Sequence, residues 1–181
     1  LAVRGRTAPR SSSRAQQALG HLASQVGEDE IGPGPLDGGE VLDGDGVSQG
    51  PAAEVVEIIR AAGGEAVANG ADIADFAQAK GLVAQAIAEF GRLDILVNNA
   101  GFVRDRMLVN AEEDEWNAVL RVHLNGHFAT MRHAAAHWRD QAKAGTPVDA
   151  GIVNASSGAG VVGSVGQGAY AAAKGGIATL T

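Results

Sequence analysis

The chain has 181 residues, with 21 acidic against 14 basic side chains, for a formal charge of −7. That acidity argues against a nucleic-acid footprint. The absence of cysteine removes disulfides and thiolate metal sites, and no apolar run approaches the ~18 residues of a membrane span. One layered α/β domain fits the length, and a cytoplasmic location is the default expectation.

Residues 1 to 47 stand apart. Arg4, Arg6, Arg10 and Arg14 lie among serines and small residues, a composition compatible with targeting, but no apolar core of a secretory signal follows. Residues 27–40 are rich in glycine, proline and acid, and only residues 15–26 have the makings of a short helix. This composition predicts irregular or disordered chain.

From Ser48 the pattern becomes regular. Ser48 can cap a helix with Pro51 in its first turn, Val55, Val56, Ile58 and Ile59 as its apolar stripe, and Gly63-Gly64 as its stop. Residues 65–69 read as a strand. Asp75 caps a second helix, whose inner face is Phe76, Ala79, Val83, Ala86, Ile87 and Phe90 at a 3.6-residue period. Residues 93–98 read as a buried strand of the parallel kind, apolar on both faces. A long helix is expected over about 112–142, a second short buried strand over 151–155, and a glycine-rich loop over 158–168. A final helix begins near Gln167. Strands alternating with helices predict a Rossmann-like, doubly wound parallel sheet.

The chemistry concentrates near the end. Tyr170 and Lys174 are four residues apart, so one helix face carries a phenol and an ammonium. A phenol ordinarily titrates near pH ~10, and a cation about 4 Å away at an effective dielectric of ~20 favours a phenolate by roughly 4 kcal/mol. Alone, this spacing also describes any solvated helix face. Its context is more telling: Ser157 follows a strand thirteen residues before Tyr170, and Asn98-Asn99-Ala100-Gly101 closes the strand before that. Such a layout suits acid–base work on a carbonyl or alcohol.

In Asn98 to Gly101, Ser157, Tyr170 and Lys174 the chain resembles the short-chain dehydrogenase/reductase family, from about Leu42 to Thr181. The stretch from Val97 to Arg106, Arg121-Val122-His123-Leu124 and Gly166-Gln167-Gly168-Ala169-Tyr170 are most similar to the hydroxyacyl-CoA dehydrogenase units of peroxisomal multifunctional enzyme type 2 and their bacterial relatives. The resemblance implies that Tyr170 exchanges the proton of the reacting oxygen, Ser157 hydrogen-bonds that oxygen, and Lys174 tunes the tyrosine and holds the nicotinamide ribose. It implies that Asn98, Asn99, Ala100 and Gly101 line the adenosine-ribose side of the cofactor. Asp72, followed by Ile73, falls where the family binds the adenine amino group; the alternative for Asp72 is a helix-capping or loop carboxylate.

The family usually places an asparagine seven residues after a tryptophan like Trp116. Here His123 holds that register and Asn125 lies two positions later, so His123 is the candidate fourth catalytic residue, with a buried structural histidine as the alternative. His133 and His137 have metal spacing but no intervening catalytic glutamate; no metal is expected, and a solvated or interface role fits better. Arg104-Asp105-Arg106 reads as a surface ion-pair cluster before a contact to a CoA phosphate.

The implied activity is NAD(P)-dependent interconversion of a hydroxyl and a ketone on 3-hydroxyacyl or 3-oxoacyl-CoA thioesters, with NAD ahead of NADP. A 3-oxoacyl-carrier-protein reductase or a generic alcohol dehydrogenase of the same family is the enzymatic alternative. A catalytically inactive fragment retaining a dimerisation surface is the alternative of another class. The resemblance further implies a small-molecule substrate, no nucleic-acid or membrane partner, and a homodimer or homotetramer in the full-length protein.

Nothing in residues 1 to 50 supplies the family's opening strand and TGxxxGxG turn, which brings backbone N–H groups to a pyrophosphate. The later strands are not identifiable either. A partial chain is therefore expected, with residues 1–47 either native or from a shifted reading frame. Such a chain should be poorly stable and bind dinucleotide weakly; a large rise in melting temperature with NAD(H) would contradict this.

Overall fold

A computed structural model describes residues 2–4 and 50–181, with side chains from residue 52 onward. The expectations for residues 15–26, for a Ser48 cap and for an irregular 5–47 lie outside the described residues. The chain divides into two compact units, Leu1–Gly70 and Ala71–Thr181.

In the first unit, helix α1 (Gly50–Ala61) ends at a turn in which Gly63 has φ +83°, a left-handed conformation that glycine adopts without steric cost. The chain then enters β2 (Glu65–Val67), which pairs antiparallel with β1 (Ala2–Arg4), a strand not expected from the sequence. Val56 and Ile59 of α1 bury against Ala66, flanked by Val55 and Ala68. Ile58, expected in the same stripe, is half exposed.

The second unit contains the features of interest. Helix α2 (Phe76–Phe90) starts where Asp75 accepts hydrogen bonds from the N–H groups of Ala77 and Gln78, and stops at Gly91 in the left-handed region. The Asp75 cap is the one expected of the sequence, and Gly91 adds a left-handed stop. Ala79, Val83 and Ala86 form its buried face, while Phe76 stays partly exposed and stacks near Phe128 and His133.

Strand β3 (Ile95–Asn98) pairs in parallel with β4 (Gly151–Asn154), in a register that sets Val97 opposite Val153 and Asn98 opposite Asn154. Both strands were expected to be buried. Instead Ile95 is 65% exposed, Val97 59% and Val153 56%. Alternate residues point to opposite faces; helix α4 (Gly126–Lys143) packs on β3, Trp138 Nε1 donates to Leu93 O at 2.6 Å, and the other face has no covering layer among the described residues.

The expected single helix over 112–142 is three pieces. Helix α3 (Glu113–Leu120) is followed directly by a π-turn, Arg121–Asn125, and then by α4. Such a turn inserts extra backbone and re-aims side chains. The stretch expected to be a loop after β4 contains a short helix, α5 (Gly158–Val162), capped by Ser157, whose hydroxyl accepts from Ala159 N at 3.2 Å. Helix α6 (Gly168–Leu180) closes the unit. It meets α5 at backbone contact: a Cβ on Gly160 would stand 2.5 Å from Gly175 N, so only glycine permits that approach.

Candidate active site

Tyr170 and Lys174 lie one turn apart on α6, and the structure puts them on the same side. The Lys174 nitrogen is 5.5 Å from the Tyr170 ring centroid. Lys174 is 4% exposed, and its ammonium donates to the Ala155 carbonyl at 2.5 Å. Burial pushes this ammonium below its ordinary pKa. A lysine is seldom buried without purpose. Ser156 adds a second tie, donating from its hydroxyl to Lys174 O at 2.9 Å. The end of β4 is thereby stitched to the middle of α6.

His123 is the third member. It sits in the π-turn, 1% exposed, with its ring edge-on to Tyr170 at 5.3 Å between centroids. Its Nε2 lies 2.6 Å from Phe102 O and 3.0 Å from Phe102 N. Desolvation lowers its pKa, against a raising contribution from the Phe102 carbonyl. The ring rests directly on Gly101, where a Cβ would come within 2.0 Å of Cε1. Asn125, its sequence competitor, is exposed. The structure therefore brings His123, not Asn125, to Tyr170.

Asn98 anchors the strand ends. Its amide donates to Asn154 Oδ1 at 2.9 Å, and its Oδ1 accepts from the Thr130 hydroxyl at 2.7 Å. Thr130 is buried and also contacts the carbonyls of Gly126 and His127. Asn99, Ala100 and Gly101 follow with exposed surface. Ser157 follows the C-terminal end of β4 as the N-cap of α5, with its hydroxyl proton uncommitted by the cap it makes.

Asp72 and Ile73 dock against the start of the π-turn. The Asp72 carboxylate receives Ala74 N at one oxygen and the Arg121 guanidinium at the other. Burial alone would raise its pKa, but the Arg121 contact and the backbone N–H donors hold it below the usual carboxylate range. Ile73 presses its Cδ1 on Gly126, where a Cβ would meet it at 2.8 Å.

Within Arg104-Asp105-Arg106, Arg106 pairs with Glu115 through Nε and a terminal nitrogen at 2.9–3.1 Å, and Asp105 accepts from Gln167. Arg104 lies over the Phe102 ring at 5.0 Å. His133, expected to be solvated or at an interface, instead packs on α2, with Nε2 3.0 Å from Phe76 O. Three residues of this network were not singled out from sequence for it: Thr130, Asn154 and His127. The available signal was that both strands end in Val-Asn, Val97-Asn98 and Val153-Asn154.

Residues 38–181 match the family model described as short chain dehydrogenase. Over 150 residues the chain is 51% identical to hydroxyacyl-CoA dehydrogenase ChsB1 of Mycobacterium tuberculosis, covering 80% of this chain and 47% of that protein. It is 44% identical to peroxisomal multifunctional enzyme type 2 of Drosophila melanogaster, covering 76% of this chain and 21% of that one. A crystal structure of a short chain dehydrogenase from Mycobacterium avium superimposes with a TM-score of 0.71 at 65% identity, over 72% of this chain and 44% of that chain. The chain thus spans about half the length, or less, of these relatives.

Proposed function

The chain belongs to the short-chain dehydrogenase family, and from that premise we propose that its site interconverts a secondary alcohol and a ketone on 3-hydroxyacyl and 3-oxoacyl-CoA thioesters. The observation that carries this reading is the buried Lys174 ammonium beside Tyr170, with His123 edge-on to the same ring. The names of two relatives, a hydroxyacyl-CoA dehydrogenase and a peroxisomal multifunctional enzyme, favour the CoA thioester. A 3-oxoacyl-carrier-protein reductase of Staphylococcus aureus, 38% identical over 134 residues, stands behind the carrier-protein alternative.

In the oxidative direction the Tyr170 oxygen takes the hydroxyl proton of the substrate, and in the reductive direction it returns one to the carbonyl oxygen. Ser157 donates a hydrogen bond to that oxygen and stabilises the charge that gathers on it. Lys174 keeps a positive charge next to the phenol, fixed by the Ala155 carbonyl. His123 holds the Phe102 backbone and walls one side of Tyr170.

The residues present suit a nicotinamide dinucleotide. Ligands of open α/β sheets bind beyond the carboxyl ends of the strands, where Asn99, Ala100 and Gly101 expose surface after β3. Lys174 has N–H donors beyond the one given to Ala155, suited to ribose hydroxyls. Asp72, with Ile73 beside it, offers a carboxylate for an amino group. When bound, the nicotinamide supplies the hydride acceptor or donor that no protein side chain provides; NAD is assigned ahead of NADP.

For quaternary structure, the groove between α4 and α6, lined by Leu124, Asn125, Phe128, Gly176, Thr179 and Leu180, supports self-association of the full-length protein as a homodimer or homotetramer. Phe128 and Leu180 are partly exposed there. No helix among the described residues is long and apolar enough to cross a membrane.

Turnover by the full-length protein of one 3-hydroxyacyl group presented on CoA and on acyl carrier protein, with NAD+ and with NADP+, tests the assignment. The expected result is a higher kcat/KM for the CoA thioester with NAD+. Preference for the carrier-protein thioester would transfer the assignment to the reductase alternative.

A further inference from the structure

Tyr170 stands in the first turn of α6, which begins at Gly168. The first turn is where a helix is weakest, since its N–H groups lack partners within the helix. Gln167 at its N-cap gives that turn no side-chain hydrogen bond. The chain leading into it is slack by composition: Gly163, Gly166 and Gly168 punctuate it, the first two with φ of +77°, and Val161, Val162 and Val165 lie exposed. One turn further on the situation is reversed, because Lys174 is buried and fixed by Ala155 and Ser156. The phenol needs a hold of its own to stay beside that ammonium.

That hold comes from the loop after β3. Arg106 N donates to Gly166 O at 2.7 Å, and Gln167 Nε2 donates to Asp105 Oδ1 at 3.1 Å. Arg106 and Gln167 thereby form a parallel bridge. The Arg106 side chain reaches α3 as well, forking onto Glu115 with N···O distances of 2.9–3.1 Å. An exposed ion pair adds little to stability, but a bidentate arginine–carboxylate fork fixes geometry. The same loop is tied at its other end through Phe102, whose N and O lie 3.0 and 2.6 Å from His123 Nε2. Residues 102–106 therefore touch both supports of the phenol, the His123 ring and the start of α6. Between the loop and that first turn the packing is open: Arg104, Leu108, Trp116, Gly168 and Ala169 line a gap. Polar ties, more than side-chain packing, set the spacing there.

We propose that Arg106 is a positioning residue for Tyr170: anchored on Glu115, it secures the bonds to Gly166 and Gln167 that hold the first turn of α6, and the phenol with it, against His123. The proposal rests on the assignment of Tyr170 to proton transfer only for its catalytic meaning. Without the fork, residues 105 and 106 lose their anchor on α3 and the first turn frays. The phenol then leaves its place while Lys174, held from β4, keeps its own. Such a change strikes the chemical step, because a misplaced proton donor weakens the transition state, and it spares the binding of the dinucleotide.

The test uses the full-length protein with ring-labelled tyrosine and histidine. The rings of Tyr170 and His123, 5.3 Å apart between centroids, are expected to give a cross-relaxation peak in wild type, assigned by its loss in Tyr170→Phe. Arg106→Leu should lose most of that peak. With a 3-oxoacyl-CoA and NADH, kcat is expected to fall about tenfold in Arg106→Leu, in Glu115→Leu and in the double variant alike, with KM for NADH changed by less than about twofold. Arg106→Lys, which keeps the charge and loses the fork, should recover part of the rate. Arg139→Leu, which breaks an exposed pair with Asp140, is the control. An undiminished ring-to-ring peak in Arg106→Leu overturns the proposal, as does a kcat equal to that of the control, or a loss seen only in KM. Should Arg106→Leu fail to fold, Arg106→Lys and Glu115→Gln carry the same readouts. A protein inactive on every thioester would remove the proposed activity, and the ring-to-ring peak would still decide whether Arg106 places Tyr170.

Discussion

Replacing Gly101 by alanine drives a methyl group into the ring of His123. A Cβ there would stand 2.0 Å from Cε1, 2.6 Å from Nδ1 and 2.8 Å from Nε2, whereas ordinary contact begins at 3.4 Å. The ring would have to retreat by about 1.4 Å, the difference between 3.4 and 2.0 Å. It has little room, being fully buried, tied to Phe102 and backed by Tyr170. Overpacking of this kind costs about 1–3 kcal/mol, and losing the Phe102 contact adds about 1 kcal/mol. The gain from a stiffer unfolded chain, about 0.4–1 kcal/mol, offsets part of this. The expected net loss is about 1–3.5 kcal/mol, read from urea unfolding followed by Trp116 and Trp138 fluorescence. The double variant Gly101→Ala/His123→Ala removes the ring that is struck, so the two losses should fall short of additivity by about 1–3 kcal/mol. Gly158→Ala, whose Cβ meets nothing within 4 Å, serves as the control. A Gly101→Ala protein as stable as wild type, or strict additivity in the cycle, would refute the packing of His123 on Gly101.

Acid should weaken the second unit through its buried histidines. His127 is held at about 4 in the folded protein against ~6.5 when unfolded, so its contribution is complete above pH ~6.5 and is lost as pH falls toward 4. At 1.36 kcal/mol per unit that loss is at most about 3 kcal/mol, with His123 adding in the same direction; urea midpoints that do not change between pH 7 and 4.5 would contradict it. Asn98→Leu cuts the bonds to Asn154 and Thr130 and should lose about 1–3 kcal/mol, with unchanged stability as the contrary outcome. Ser156→Ala removes one tie to α6; about 1 kcal/mol is expected, and a loss several times larger would mean that the hydroxyl does more than bond Lys174 O.

Where the sequence carried local rules, the fold could be read from it. The Asp75 cap and the buried Ala79-Val83-Ala86 face follow from side-chain chemistry within a few residues. Helical spacing put Tyr170 and Lys174 on one face, and Ser157 with Asn98 to Gly101 gave that face its meaning. The π-turn at Arg121–Asn125 did not, because one extra residue in a helix leaves the apolar period nearly intact. Only the Leu124-Asn125-Gly126 interruption hinted at it. The helix after Ser157 was hidden by glycine content, which reads as loop, although here Gly160 is required for contact with α6. The exposed face of β3 was not legible either, since apolar residues mark what a strand can bury and not what lies beside it.

The most direct measurement of the central claim is 3-oxoacyl-CoA-dependent oxidation of NADH, followed at the nicotinamide absorbance, for the full-length protein and its Tyr170→Phe variant. The phenylalanine keeps the ring against His123 and Lys174 and deletes only the hydroxyl. The account predicts turnover in wild type and a loss of about 10²–10⁴-fold in the variant, with the unfolding midpoint preserved. Equal rates in the two proteins would contradict it.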